Sequence, residues 1–304
     1  MSIYGLLKGA GDNGFGYNST AEQVTEGLDL TGKTYLLTGC NSGLGLETMR
    51  VLSLRGARVI GAARSVEKAR SAGAQVDGET DAVACELSEP DAVRQAVRDV
   101  LALGHPLDGI ICNAGIMALP ELTVKHGYEL QFLTNHVGHF ILVTGLLEQL
   151  SATGRVVMVS STAHTRAPEE GIQFDNLDGS KGYSPWGNYG QSKLANLLMA
   201  RHLAGRLESG QTVNAIHPGV IATNLVRHMS GIAQTAWKLS APLVLKSIPR
   251  GAATQTYVAT HPDAAAVSGE YWADCNPGRS TDAGRDEALA ARLWETTEEI
   301  VAGL

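Results

Sequence analysis

Seven short apolar runs, separated for the most part by longer stretches with helical spacing, dominate the sequence from residue 31 onward. The runs lie at 34–38, 58–62, 82–85, 108–112, 155–160, 213–216 and 270–273. They are nearly continuous rather than alternately apolar and polar, the pattern of strands covered on both faces. Helical stretches fall near 44–55, 90–103, 128–150, 189–208 and 251–260, and an amphipathic one near 286–301 closes the chain. Pro90 suits a first helical turn, and Gly56 sits where a helix must stop. Alternating strand and helix gives βαβ units with right-handed crossovers. The expected fold is one doubly wound α/β domain, with about seven parallel strands and helices on both faces. No linker interrupts the rhythm, so residues 31–304 are expected to form a single domain behind an irregular N-terminal arm, 1–30. The 35 glycines in 304 residues suit the many tight strand–helix turns of such a sheet.

Charge and composition remove several classes of function. Lys plus Arg is 24 against 31 for Asp plus Glu, a net charge of −7. That is not the basic footprint of a nucleic-acid binder. With 44% apolar and 18% charged residues the chain is not a disordered one. Its longest nearly apolar stretches, such as 140–147, fall far short of the roughly 20 residues that span a bilayer. The N-terminus lacks the basic start and apolar run of a signal peptide. Cys40, Cys85, Cys112 and Cys275 form no CxxC pair, which argues against a zinc site or disulfide framework and fits the cytoplasm. Neither a metal, nor a nucleic acid, nor a membrane span is expected.

The first strand runs directly into Thr38-Gly39-Cys40-Asn41-Ser42-Gly43-Leu44-Gly45, and a helix follows. Gly39 allows a tight turn, while Gly43 and Gly45 allow close approach of backbone to pyrophosphate and of helix to sheet. Free N–H groups at the helix start then face phosphates. At the end of the second strand, where an acid would bind the ribose hydroxyls of NAD, the chain has Ala63 and then Arg64. A guanidinium can clamp the 2′-phosphate of NADP, so NADP(H) is expected over NAD(H); the plain alternative is a solvated charge. Glu86 and Leu87 follow the third strand, where a side chain could meet adenine. Asn113-Ala114-Gly115 ends the fourth at the crevice where ligands bind in such sheets.

Tyr189 and Lys193, four apart, share one face of a helix. A phenol titrates near 10, too high for ready proton transfer at neutrality, and a neighbouring ammonium lowers that value. Such a Tyr can exchange a proton with a carbonyl or alcohol oxygen while hydride moves at carbon. Alone, the pair usually marks a partly exposed helix face. Ser160-Ser161 ends the strand at 155–160 and presents a hydroxyl at the carboxyl edge of the sheet. Asn135 lies inside a helical stretch, where Asn needs a specific reason to be.

Taken in order, Thr38-Gly39-x3-Gly43-x-Gly45, Asn113-Ala114-Gly115, Asn135, Ser161, Tyr189-x3-Lys193 and Pro218-Gly219 resemble the signature of the short-chain dehydrogenase/reductase family. The resemblance covers about residues 30–304. Asn135-His136-Val137-Gly138-His139-Phe140, the run from Val159 to His164 and Ser192-Lys193-Leu194-Ala195-Asn196 are similar to the branch of retinol dehydrogenases, protochlorophyllide reductases and WW-domain oxidoreductases. A Rossmann-type domain is implied, with Tyr189 as general acid/base and Lys193 lowering its pKa and holding the nicotinamide ribose. The resemblance also implies that Ser161 rather than Ser160 orients the substrate oxygen. Asn135 would hold a water that relays protons to Lys193. The backbone of Pro218-Gly219-Val220 would contact the carboxamide, with Thr223 nearby. Cys112 stands where a second Asn is common, and Glu86 where Asp is common. Many similar chains form homodimers or homotetramers through the helices at 128–150 and 189–208.

Two segments are expected to build the substrate pocket. One is 165–187, with Phe174, Tyr183, Pro185 and Trp186. The other is 224–246, with Met229, Ile232, Trp237, Leu239, Leu243 and Leu245. Their apolar side chains point to a hydrophobic ketone, aldehyde or alcohol as the small-molecule partner. Arg227, Lys238 and Lys246 are expected at the solvent, and His136, His139, His164 and His217 in packing roles. A carbon–carbon double-bond reductase and a non-catalytic NADP-binding regulator stand as alternatives.

Overall fold

The structure, a computed structural model, describes residues 8–221 and 245–304. Among the described residues ten strands form in chain order. They are β1 (Thr34–Thr38), β2 (Arg58–Ala63), β3 (Thr80–Ala84), β4 (Leu107–Cys112), β5 (Val124–Lys125), β6 (Tyr128–Glu129), β7 (Leu150–Val159), β8 (Thr212–His217), β9 (Tyr271–Ala273) and β10 (Asn276–Pro277). Eight of them make a central sheet of order β10-β9-β8-β7-β4-β1-β2-β3, and β5 and β6 form a separate hairpin. In the central sheet all pair in parallel except β10, which returns antiparallel to β9. The strand order reverses beside β1, whose neighbours are β2 and β4. Sheets of this topology take ligands in the crevice at such a reversal, here between the carboxyl ends of β1 and β4.

Both faces are covered, which is why the strands read as continuous apolar runs. The helices, in chain order, are α1 (Gly43–Leu54), α2 (Val66–Gly73), α3 (Pro90–Ala102), α4 (130–144), α5 (Pro185–Ala204), α6 (Ile248–Thr260) and α7 (Glu287–Gly303). On one face α3, α4, α5 and α7 bury Val93, Phe132, Leu194 and Leu293 against Leu36 and Val156. On the other, α1, α2 and α6 bury Met49, Ala69 and Tyr257 against Leu37 and Val157.

Three details depart from the expectations. Helix α2 lacked a clear periodic signal; the Ser65 hydroxyl starts it by accepting from Lys68 N–H. The stretch at 128–150 is shorter, because Glu129 belongs to the hairpin and caps α4 by accepting from Gln131 and Phe132 N–H. Finally, α7 packs along α5 and reaches α4, where the Trp294 ring meets Phe140 edge-on at 4.7 Å. The chain's own last helix thus touches both helices named for a homo-oligomeric contact.

The described part of the arm includes a short helical turn at Gln23–Thr25. It is tied down by Ala21 N–H donating to Pro249 O, by the Glu22–Arg50 ion pair, and by Phe15 packed against Tyr257.

Candidate active site

The turn after β1 is shaped by three glycines with different tasks. Gly39 has φ +68°, and a Cβ there would stand 3.0 Å from Ala114 Cα. A Cβ on Gly45 would overlap the Gly39 carbonyl, so this glycine lets α1 seat directly on the turn. Gly43 has φ +54° and open space beyond it. The Ser42 hydroxyl makes no capping bond, and Asn41 and Ser42 are exposed, so side chains leave the first-turn amides of α1 free for an anion. Leu44 points away and packs on Ala21, Val51 and Ala252.

Around this turn the expected cofactor residues gather unequally. Asn113 locks the turn to β4: its Nδ2 donates to Thr38 O at 2.9 Å, and its Oδ1 accepts from Gln255 at 3.2 Å. Ala114 N–H donates to Thr38 Oγ1. Arg64 is exposed at the end of β2 and joins no ion pair or hydrogen bond with the described residues. Glu86 turns onto its own loop and accepts from Ser88 N–H and O–H. Leu87 is buried on α4, where a Cβ on Gly138 would overlap its carbonyl.

The chemistry-bearing side chains come from β7, α4 and α5. Ser184 caps α5 and Pro185 starts it. Gly190 allows α5 to lie against the residues after Ser161; a Cβ there would stand 2.5 Å from Ala163 O. Tyr189 is therefore held over the end of β7. The expected lowering of its phenol by Lys193 is not found: burial pushes the phenol up to about 12, and it is a hydrogen bond with Ser161 that pulls the other way. Lys193 is buried, with Nζ donating to Val159 O at 2.9 Å and standing 5.8 Å from the Tyr189 ring centre. Burial pulls this ammonium down to about 8. The two serines separate cleanly. Ser160 is buried and donates to Lys193 O, whereas Ser161 keeps its hydroxyl by Tyr189 and accepts from Ala163 N–H.

Asn135 occupies a π-helical turn of α4, Leu133–Val137, a distortion common at functional sites. Its Oδ1 accepts from Ile116 N–H, and its Nδ2 donates to Ile116 O and Ser192 Oγ. The side chain thus clamps the loop after β4 to α5. Its carbonyl accepts from His139 Nδ1–H at 2.9 Å, so His139 Nε2 accepts from the Thr38 hydroxyl at 3.0 Å. A chain of bonds therefore joins the turn at β1 to the turn at Asn135. Its trace in the sequence is the four-residue spacing of Asn135 and His139. Gly115 fits between; a Cβ there would stand 3.0 Å from Asn135 Oδ1 and 3.3 Å from Lys193 Nζ.

The other three histidines expected in packing roles are bonded within the fold. His136 meets Thr297, His164 accepts from Thr281 N–H, and His217 accepts from Thr162 N–H. Among the described residues no group of three His, Cys, Asp or Glu side chains is placed to hold a metal ion.

On the substrate side the structure is selective. Trp186 is 41% exposed, meets Tyr189 edge-on at 6.1 Å, and carries the Arg166 guanidinium at 5.1 Å. Pro185 is the first residue of α5, Tyr183 donates to Leu119 O, and Phe174 lies under Arg292. Thr223, Arg227, Lys238 and the part of 224–246 before Leu245 lie outside the described residues. Lys246 does not face solvent as expected. Its side chain is fully buried, and Nζ pairs with Asp274 at 2.7 Å. Positions this far apart in sequence carry no local signal of pairing.

Residues 33–231 match the family described as short chain dehydrogenase. The chain is 41% identical to short-chain dehydrogenase TIC 32 A, chloroplastic, of Brassica napus, over all of both sequences. It is 39% identical to human retinol dehydrogenase 12, covering 90% of this chain and 88% of that one. A crystal structure of an uncharacterized protein from Mycobacterium paratuberculosis superposes with TM-score 0.76 at 32% identity, covering 92% of this chain and 97% of that one.

Proposed function

The chain belongs to the short-chain dehydrogenase family of oxidoreductases, and we propose that it is an NADP-dependent enzyme moving hydride between nicotinamide and a hydrophobic ketone, aldehyde or alcohol. The observation that carries this reading is the convergence of Tyr189, Ser161 and the buried Lys193 at the carboxyl end of β7. When bound, the cofactor supplies or accepts the hydride. The chain's own residues handle the oxygen and its proton. In reduction, Tyr189 donates its phenolic proton to the substrate oxygen, and Ser161 donates a hydrogen bond to that oxygen. Lys193, held by Val159 O, stabilises the phenolate left behind. Both Nδ2 protons of Asn135 are taken by Ile116 O and Ser192 Oγ, so it is as an acceptor, through a carbonyl oxygen, that Asn135 would hold a relay water.

The cofactor residues fit a dinucleotide. The open side of Gly43 and the uncapped first turn of α1 suit a pyrophosphate, and the backbone of Pro218-Gly219-Val220 suits the carboxamide. Arg64, unpaired among the described residues, suits the 2′-phosphate. The exposed Trp186 beside Tyr189, and relatives named retinol dehydrogenases, support a hydrophobic substrate. Among the described residues no helix is long and apolar enough to cross a membrane. Four buried free thiols support a reducing compartment, for which we take the cytoplasm.

Tyr189→Phe tests the reading against the non-catalytic alternative. The variant is expected to bind NADPH as the wild type does and to lose about 10²–10⁴ in turnover, the usual worth of a general acid. Unchanged turnover contradicts the assignment. Products reduced at carbon–carbon bonds would select the double-bond reductase instead.

A further inference from the structure

The proposed chemistry makes no use of the N-terminal arm, yet the arm is linked to the loop at 218–220. The inner link is Lys246. Its N–H donates to Val220 O at 2.9 Å. Its stem lies on Gly219, where φ is +100° and a Cβ would stand 2.6 Å from Lys246 Cδ. The middle link is Asp274, whose Oδ1 takes Lys246 Nζ at 2.7 Å. Asp274 and Cys275 form the two-residue tip between β9 and β10 with φ +53° and +61°, and Cys275 stands where such a tip favours glycine. The outer link is the arm itself. Lys8 Nζ meets Asp274 Oδ2 at 2.9 Å, Asn13 Nδ2 donates to Cys275 O at 2.9 Å, and Phe15 O accepts from Asn276 at 3.0 Å. The Tyr17 ring lies by both ammonium groups, 4.8 Å from that of Lys246 and 5.8 Å from that of Lys8.

A fully buried ammonium is costly unless it is paired, and a pair of this kind fixes register more than it adds stability. Here the register it fixes is that of Gly219 and Val220. We propose that Lys8, Asn13, Tyr17, Asp274 and Lys246 form a brace through which the N-terminal arm positions the 218–220 loop for the nicotinamide half of the cofactor. The inference rests on the reading that this loop faces the carboxamide. The brace residues are positioning residues, for none of them touches the reacting atoms.

The test compares two ligands that share every group except the dihydronicotinamide ring. Binding of NADPH and of 2′-phospho-ADP-ribose is measured by calorimetry for the wild type, Lys246→Met, Asp274→Asn, Lys8→Met and Asn13→Ala. Lys246→Met and Asp274→Asn are expected to weaken NADPH about tenfold, equivalent to losing one or two hydrogen bonds, and to leave 2′-phospho-ADP-ribose within about twofold. Lys8→Met, at a half-exposed pair, is expected to weaken NADPH by about threefold. Binding of the fragment also reports that each variant is folded. An equal effect on both ligands, or on neither, overturns the brace. If the two buried variants do not fold, the arm variants decide: an unchanged ratio of NADPH to fragment affinity overturns it as well. A wild type that prefers ADP-ribose to its 2′-phosphate contradicts the NADP reading alone, and the same comparison is then made with NADH and ADP-ribose.

Discussion

Gly43 and Gly45 are two residues apart in one turn, yet alanine is expected to harm them in opposite ways. At Gly43 nothing lies within 4 Å of the place a methyl group would take, and only the φ of +54° opposes it. Left-handed alanine costs about 1 kcal/mol, which for a chain of this size lowers Tm by roughly 2 °C. At Gly45 the methyl overlaps the Gly39 carbonyl and stands 2.8 Å from Asn113 Nδ2, both held just past the carboxyl ends of β1 and β4. Overpacking of this kind costs about 1–3 kcal/mol, or roughly 2–6 °C in Tm. The ligand effect runs the other way relative to stability. The Gly43 methyl points where a pyrophosphate is proposed to lie, so Gly43→Ala should bind NADPH at least about tenfold more weakly. That removes about 1.4 kcal/mol of ligand stabilisation at saturating cofactor. The assay is thermal unfolding of both variants with and without NADPH. Gly43→Ala should unfold near the wild type without ligand and show a clearly smaller NADPH-induced shift. A normal shift in Gly43→Ala, or equal unliganded stability of the two variants, refutes the division of labour.

Three further outcomes follow from the site. Thr38→Val should cost about 2–3 kcal/mol in urea denaturation, because it leaves His139 Nε2 buried and unpaired and takes the partner from the part-buried Ala114 N–H; a loss below about 0.5 kcal/mol would show that the link carries no weight. Burial pulls Lys193 down to about 8, so its ammonium is lost as pH rises through that value. Carbonyl reduction should therefore decline above about pH 8, and a flat profile to pH 10 contradicts the role given to Lys193. Burial also holds His139 and His217 down to about 4. A group whose folded pKa is depressed contributes stability that is present above its unfolded value and is lost as pH falls through the folded one. The urea midpoint should thus fall between pH 6.5 and about 4, and His217→Gln should flatten that slope.

The doubly wound sheet was legible because covered parallel strands read as unbroken apolar runs, and Thr34–Thr38 or Arg58–Ala63 could hardly be anything else. The candidate site was legible where chemistry follows short spacing, as in the glycine turn and the Tyr189–Lys193 pair. What stayed hidden depends on partners distant in sequence. Lys246 reads as a surface lysine until Asp274 is brought beside it. Helix α2 rests on one cap and Ala69 and Ala72 as its buried apolar contacts, too little periodicity to stand out.

The most direct test of the central claim is a single turnover. NADPH-saturated protein is mixed with a panel of hydrophobic aldehydes, ketones and enones, and loss of the reduced-nicotinamide absorbance is followed for the wild type and Tyr189→Phe. Proton donation by Tyr189 predicts oxidation by one carbonyl class in the wild type, with recovery of the alcohol, and near-silence in a variant that still holds NADPH. Oxidation at equal rates in both proteins, or tight NADPH binding with no oxidation by any carbonyl, would contradict it.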